Sequence, residues 1–579
     1  MKRWSPSLAL LLVLGSACGA DSGMGGPSVA PFPNATGGMQ NPDGNGATTP
    51  VANGADGTTT PNGTGTSGGT TTVGGENGPG TLPIGTTPDD SAGGGSVDAQ
   101  PLPHSTPEAQ GLSSDSVLAL VNALDAGVHE IHSMVLLRHG QIVAEGFWSP
   151  YSADDIQVLY SGSKSFNATA IGFLVQEGVL SVDDLVLSKF PELAPAQPDP
   201  NMAAMRIRDL LTMSTGHAAD TIDRLRAAPN GEWTRAFLAT TVENPPGSPF
   251  IYNSGAAYML SAIVQRVSGM TVENYLTPRL FLPLGIQKHL WGLSPEGVNM
   301  GDGGLSVRTE DFAKLGLLYL QNGSWNGEPL LTPEWVTAAT SREVSTGNND
   351  GNWNFGYGYQ FWRSRVGYRA DGSLGQYSFV LPEQDMVLAI TSGTDNSSGT
   401  NNLMNIVFST LPAVQADALP ENPGSQQALR DKLSSLSLPL PAGAATSPMA
   451  SQVSDAQYTA AANSQGITAL SFDFTSATPN VTITDANGPH QILVGSGQWV
   501  RGRTGFKSRI NELYDTADQG IAAQGAWSAD DTFTARMVFT ETPYTAITSF
   551  KFEGNRVLLD VGYNVRWGAA SEPQVSATR

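Results

Sequence analysis

Residues 160–166 read Tyr160-Ser161-Gly162-Ser163-Lys164-Ser165-Phe166, and Ser161 is the only serine in the chain with a lysine three residues after it. Phe166, Ala170 and Leu174 follow at one-turn spacing, which predicts a helix from about Ser163. A helix starting at or just after Ser161 puts Lys164 one turn on, on the same face, with its amine in reach of the serine hydroxyl. A free serine hydroxyl is a poor nucleophile and needs a neighbouring base. Lysine serves as that base only where burial or nearby positive potential lowers its pKa toward neutrality. A helix N-terminus also aims free backbone N–H groups at a developing oxyanion. Taken alone, Ser and Lys three apart on an amphipathic helix are more often a solvated pair, so the surroundings decide.

Outward from this stretch, the sequence alternates between strand and helix signals. Ser133 to Trp148 reads as a hairpin: Met134-Val135-Leu136-Leu137, a turn at His139-Gly140, then Ile142-Val143-Ala144 and Phe147. Helices are predicted at Ile207–Met213, Ala256–Val267 and Glu310–Gln321, and strand-like runs return at Tyr377–Leu381 and Met386–Thr391. Helices lying between an early strand pair and late strands suit an α+β domain, with an antiparallel sheet closed by distant segments. We place this domain at 101–411. Residues 412–453 thin into Pro, Ala and Ser and read as a linker. From 454 to 579 short β runs (Leu470–Phe474, Val481–Ile483, Gln491–Val494, Phe533–Phe539, Ile547–Phe552, Val557–Val561) predict a separate small C-terminal β domain with no nucleophile–base pairing.

The chain has 579 residues, 40% of them hydrophobic, enough for at least one sizeable core. Acidic residues outnumber basic ones 52 to 30, a formal charge of −22 that repels phosphate backbones and argues against a nucleic-acid partner. Lys2 and Arg3, the apolar run Leu8–Leu14 and the small residues Gly15, Ser16 and Ala17 lead to Cys18, the only cysteine. The run is too short to span a bilayer and reads as a signal-peptide core. Residues 1–18 resemble a bacterial lipoprotein signal, with Gly15 in the slot usually held by leucine. The resemblance implies lipidation at Cys18 and an exported, membrane-anchored protein on the periplasmic or cell-surface side. Residues 19–100, rich in Gly, Thr, Pro, Asn and Ser, cannot bury enough surface to offset ordering entropy and read as a disordered tether.

Several segments between Leu102 and Leu411 give the Ser–Lys pair its context. They are Ser105-Thr106-Pro107-Glu108-Ala109-Gln110-Gly111, Leu136-Leu137-Arg138-His139-Gly140, Ile207-Arg208-Asp209-Leu210-Leu211-Thr212-Met213-Ser214-Thr215-Gly216, Gly303-Gly304-Leu305 and Asp311-Phe312-Ala313-Lys314-Leu315-Gly316. With Phe250-Ile251-Tyr252-Asn253-Ser254-Gly255, they resemble the serine β-lactamase and penicillin-binding superfamily. The resemblance is nearest to its class C β-lactamase, esterase and 6-aminohexanoate-dimer hydrolase branch. It implies a β-lactamase-like fold, an antiparallel sheet with a helical subdomain. It implies Ser161 as nucleophile, with Lys164 and Tyr252 as proton-transfer groups and Ser254 as a hydrogen-bonding neighbour. Whether Lys164 or Tyr252 takes the serine proton is left open by the sequence. A phenol with pKa near 10 acts as a base only if a cation such as Lys164 stabilises its phenolate.

The branch's third motif, a cation, a small residue and glycine, has its counterpart in Ala370-Asp371-Gly372, continuing Ser373-Leu374. The glycine is kept, which permits close backbone approach. The cation, which holds a substrate carboxylate in β-lactam-recognising members, is alanine here. This favours neutral esters or amides, with the backbone N–H groups of Ser161 and Ser373 as oxyanion donors beside Gly372. The expectation is a serine hydrolase of small esters or amides, working without metal or organic cofactor. The alternatives are a D-Ala-D-Ala peptidase or β-lactamase, and a non-catalytic cell-wall or ligand-binding lipoprotein. His129-Glu130-Ile131-His132 lacks the i, i+4 histidines of a zinc protease and reads as a surface or loop stretch. His217 reads as a plain loop histidine. Trp148, Trp353, Phe361 and Trp362 are candidates for a pocket wall, though core positions are commoner for such residues.

Overall fold

Alternate residues of the first long strand point opposite ways, and both sets are apolar. In β1 (Glu130–Arg138), Met134 and Leu136 enter one core, while Val135 and Leu137 enter another. Such a strand must be covered on both faces. That is the arrangement in the computed structural model, which describes residues 101–347, 351–396, 398–506, 518–565 and 571–579. The expected signal segment, Cys18 and the tether to residue 100 lie outside the described residues.

In chain order, α1 (Ser114–Leu124), β1 and β2 (Gln141–Phe147) are followed by β3 (Ile156–Val158) and α2 (Ser163–Gln176). The helical section holds α3 (Pro200–Ala204), α4 (Ile207–Leu211), α5 (Ile222–Arg226), α6 (Trp233–Leu238), α7 (Ser254–Ser268), α8 (Val272–Leu276) and α9 (Leu282–Leu284). Next come β4 (His289–Trp291), β5 (Leu305–Arg308), α10 (Thr309–Leu320), a short hairpin of β6 (Ser324–Trp325) and β7 (Glu328–Pro329), and α11 (Pro333–Thr340). The chain returns through β8 (Trp362–Arg363), β9 (Tyr368–Gly372), β10 (Gln376–Leu381) and β11 (Met386–Gly393) to α12 (Ser398–Thr410). The main sheet is antiparallel in the order β2-β1-β11-β10-β9-β8. On one side, Val135, Leu137, Val380 and Val387 share a core with α2 and α10. On the other, Met134, Leu136, Tyr377 and Phe379 share a core with α1 and α12. The expected α+β, β-lactamase-like arrangement is therefore present, with distant segments closing the sheet as β11 pairs β1.

Residues 412–453 do more than connect. They contain α13 (Pro423–Ser434), capped by Asn422, and α14 (Ala450–Val453). Leu429, Leu436 and Leu438 are buried in the α1 core, and Leu438 and Leu436 exchange backbone hydrogen bonds with Ser149. Three leucines spaced through a polar stretch suffice to dock it, and composition hides them. Ala450 and Val453 already belong to the next core.

That next core is enclosed by an eleven-stranded, barrel-like sheet. Its strands are β12 (Gln457–Ala460), β13 (Ala469–Asp473), β14 (Asn480–Asp485), β15 (Gly488–Leu493), β16 (Gly495–Ser496), β17 (Val500–Thr504), β18 (Gln519–Ala529), β19 (Thr532–Phe539), β20 (Thr545–Glu553), β21 (Arg556–Tyr563) and β22 (Val575–Thr578). The order is β15-β14-β13-β12-β22-β21-β20-β19-β18-β16, with β17 also on β18. Phe472, Phe474, Trp527, Phe533 and Phe552 pack ring against ring inside. The six predicted β runs fall on β13, β14, β15, β19, β20 and β21. The longest strand, β18, gave no signal because glycine and alanine dominate it; an added Cβ at Gly525 would sit 2.5 Å from the Phe533 ring.

The stretch His129–His132 departs from its sequence reading. Glu130 begins β1, and His132 is fully buried, stacked on Tyr151 with ring centroids 4.1 Å apart. Its Nε2 meets the Tyr151 hydroxyl at 3.2 Å, and its Nδ1 meets Gln157. His132 sits at a β-bulge between Ile131 and Ser133, where Gln157 of β3 and Tyr151 satisfy it.

Candidate active site

Ser161 lies in a single 3-10 turn, Tyr160–Gly162, that runs straight into α2. Leu159, just before it, is pinned by its N–H donating to the Leu305 carbonyl at 2.8 Å. From the next turn, Lys164 reaches back and Nζ donates to Ser161 Oγ at 2.9 Å and to the Asp302 carbonyl at 2.5 Å. Lys164 is 1% exposed, whereas Ser161 keeps partial access to solvent. The loop 300–304 wraps this helix start, and Ser163 Oγ accepts from the Leu305 N–H at 3.0 Å. Burial pushes the Asp302 carboxyl up, and the nearby Lys164 charge opposes that.

Tyr252 comes in from the loop before α7. The 207–216 segment holds that loop: the Ile251 N–H donates to the Met213 carbonyl at 2.9 Å, that of Gly247 to Ser214 at 2.8 Å and that of Asn244 to Gly216 at 2.9 Å. Gly216, at φ +88°, has no room for a side chain, since a Cβ would lie 2.1 Å from the Asn244 carbonyl oxygen. Lys164 Nζ sits 5.0 Å from the centroid of the Tyr252 ring. Burial pushes the Tyr252 phenol up, while the Lys164 charge and hydrogen bonds with Ser161 and Lys164 pull it down. Trp362 stacks on Tyr252 with centroids 5.9 Å apart and planes at 18°, and Phe250 and Tyr357 complete an aromatic wall.

Ser254 opens α7, and its N–H donates to Asp220 Oδ1 at 2.8 Å. The heavier polar load in this motif falls on fully buried Asn253. Its Oδ1 caps α7 at the Ala256 N–H and accepts from both the N–H and hydroxyl of Thr221. Asn253 and Asp220 were not singled out from the sequence; the cap position before the helix was the available signal.

The third side is the end of β9. Gly372 pairs with Gln376 of β10, and a Cβ at Gly372 would lie 2.0 Å from the Leu159 carbonyl oxygen. The strand end and the residues leading into Ser161 therefore touch backbone to backbone, with partly exposed Ser373 next along. Ala370 is buried in the core shared with α2, on the opposite strand face from Asp371, which lies beside Tyr377 in register. Asp371 is not a free negative charge: Arg369 Nε donates to it at 2.8 Å and Trp353 Nε1 at 2.9 Å. Burial pushes its carboxyl up, and Arg369 counters.

Of the four aromatic candidates, Trp362 packs on Tyr252 and Trp353 on Asp371. Trp148 lies in the α1 core, and Phe361 packs on Tyr319. His217 is buried 5.2 Å from Phe237, its Nδ1 is 2.9 Å from Thr215 Oγ1, and burial drives its pKa down to about 4. Among the described residues, no three His, Cys, Asp or Glu side chains cluster as metal ligands, and no helix is long and apolar enough to cross a membrane.

Comparison with known proteins places this chain among hydrolases and penicillin-binding proteins. A family described as Beta-lactamase matches residues 122–407. The 6-aminohexanoate-dimer hydrolase of Paenarthrobacter ureafaciens is 26% identical over 44% of this chain and 71% of that protein. Penicillin-binding protein 4 of Amycolatopsis lactamdurans is 26% identical over 51% of this chain and 86% of that protein. The lovastatin esterase of Penicillium rubens is 26% identical over 29% of this chain and 47% of that protein. A β-lactamase-like fold and a sequence match spanning α1 to α12 make residues 122–407 a domain of the β-lactamase family, and the chain a serine hydrolase.

Proposed function

We propose that the chain hydrolyses small neutral esters or amides through an acyl-enzyme on Ser161. The observation that carries this reading is the 2.9 Å hydrogen bond from buried Lys164 to partly exposed Ser161, with Tyr252 against both. The substrate carbonyl oxygen would lie between the N–H groups of Ser161 and Ser373, where the contact of Gly372 with Leu159 draws the two backbones together. Ser161 Oγ bonds to the carbonyl carbon, and its proton passes through the Lys164–Tyr252 pair to the departing alkoxide or amine as the C–O or C–N bond breaks. Water then adds to the acyl carbon by the same proton route, releasing the acid and restoring Ser161. Lys164 lends its charge to a phenol that burial would otherwise hold protonated, so the two act as one proton-handling unit.

Neutral substrates are favoured by the third wall. Ala370 supplies no cation, and Arg369, the nearest one on that strand, is already engaged by Asp371. The test is turnover of a chromogenic short-chain ester by the full chain, beside an amide, a D-Ala-D-Ala peptide and a chromogenic cephalosporin. The expected result is an ester burst that Ser161→Ala abolishes, with labelling of Ser161 by an active-site phosphonate. Folded protein that resists labelling would refute the reading, and cephalosporin turnover exceeding ester turnover would replace it with the β-lactamase alternative.

The Leu8–Leu14 run and Cys18 support export and lipid attachment as part of the same proposal. Metabolic labelling with an alkyne fatty acid, lost in Cys18→Ala, tests it.

A further inference from the structure

We infer that the C-terminal sheet is a working part of the active site, and that Tyr544 is a positioning residue for it; this rests on the assignment of Ser161 and Ser373 above. The turn between β19 and β20, residues 540–544, is seated directly under the nucleophile. The Val158 N–H donates to the Glu541 carbonyl at 3.1 Å, and Gln157 Nε2 approaches the Thr540 carbonyl at 3.4 Å. The Tyr160 hydroxyl donates to that of Tyr544 at 3.3 Å. Val158, Tyr160 and Leu374 are counted into the apolar core of the C-terminal sheet, and Tyr544 is 2% exposed within it.

The two residues gripped in this way are unusual. Tyr160 has φ 46° and Leu374 has φ 62°. Both are bulky residues in the left-handed region, a conformation that persists only where surrounding structure enforces it. Tyr160 immediately precedes Ser161, and Leu374 immediately follows Ser373. The strained positions therefore flank the two amides assigned to the oxyanion, and one foreign core holds both.

The seat is itself rigid. Phe539 and Tyr544 bond across the turn at 3.0 Å, and the Tyr544 N–H donates to Thr542 Oγ1 at 3.2 Å. Beside it, half-buried Glu130 of β1 receives Arg536, Thr545 and Asn564, tying β19, β20 and the segment after β21 to the main sheet. A gap under Tyr160 would let the turn before Ser161 relax toward ordinary backbone angles and shift the oxyanion amide, without touching substrate-binding surface.

The test compares Tyr544→Ala, Tyr544→Phe and Ile483→Ala, the last a core cavity in β14, five strands along the sheet from β20. For Tyr544→Ala we expect kcat for the ester to fall about 10- to 100-fold, with KM within about twofold. Tyr544→Phe, which keeps the ring, should stay within about threefold of the parent. Ile483→Ala should lower thermal stability yet leave kcat unchanged. Independently of turnover, amide exchange at Gly162, Leu374 and Thr394, whose N–H groups are bonded around the site, should quicken in Tyr544→Ala and not in Ile483→Ala. Folded Tyr544→Ala with parental kcat and parental exchange overturns the inference. If the parent chain shows no Ser161-dependent turnover, the assigned chemistry fails, and the exchange comparison still decides whether the sheet braces this backbone.

Discussion

The contact between Gly372 and Leu159 sets a sharp test of the oxyanion wall. Gly372→Ala would place a methyl carbon 2.0 Å from the Leu159 carbonyl oxygen, 3.1 Å from its carbon and 3.0 Å from Gln376 Cβ. Ordinary contact begins near 3.4 Å, so β9 and the turn before Ser161 must part by roughly 1 Å or more. Neither side can yield cheaply: β9 is held by β10, and Leu159 by its bond to Leu305. Overpacking of this kind costs about 1–3 kcal/mol in stability. The same displacement moves the Ser373 amide away from the position where negative charge develops, and losing one such donor costs about 10²–10³ in kcat. The expected outcome is a folded variant with kcat for a chromogenic ester down at least about 100-fold, KM little changed, and a urea midpoint lowered by an amount matching the packing penalty. A folded Gly372→Ala enzyme with kcat within threefold of the parent would show that this strand end is not the oxyanion wall.

Lys164→Ala should lower kcat/KM by about 10³-fold or more, since it removes the amine bonded to Ser161, and the rate of phosphonate labelling reads the loss separately from turnover. Tyr252→Phe should keep the aromatic wall with Trp362 and still lose about 10²- to 10⁴-fold in kcat, measured under ester saturation. At alkaline pH, burial raises Tyr319 to about 12, above the value near 10 that it has in the unfolded chain. Its contribution is therefore fully present below pH 10 and lost as pH rises toward 12, and urea midpoints across that window should decline less steeply in Tyr319→Phe. On the acid side His217 has a folded pKa of about 4, below its usual 6.5. The folded state therefore disfavours its protonation: stability is full above pH 6.5 and falls toward pH 4, and His217→Gln should flatten that limb of the unfolding profile.

Much of the hydrolase half was legible because its signals are local. The Ser161–Lys164 spacing, the two apolar runs and His139-Gly140 turn of the Met134–Phe147 hairpin, and the helix behind Tyr252 are each set by neighbours within a few residues. What escaped the sequence is set by distant ones. Asp302 meets Lys164 through a backbone carbonyl, which any residue type could supply. Asp371 is visible in the sequence only as the middle of the Ala370-Asp371-Gly372 motif; its pairing with Arg369 appears only once the strand is in place. The docking of α13 rests on Leu429, Leu436 and Leu438, too sparse to raise the apolar content of a Pro- and Ser-rich stretch. The positive φ of Tyr160 and Leu374 has no signature in residue type at all, since neither is a residue that prefers it.

The join between α13 and the barrel-like sheet bears on how such a protein could be rearranged by recombination. A gene cut after residue 411 would look clean by composition, yet it would strip Leu429, Leu436 and Leu438 from the α1 core, and Tyr544 and its neighbours from beneath Tyr160. Neither the catalytic half nor the barrel could then be exchanged for a relative's counterpart without carrying the matching surface along. The two have to be inherited, trimmed and transplanted as one unit, and a shuffled library made at that seam should return active members only where both sides come from the same parent.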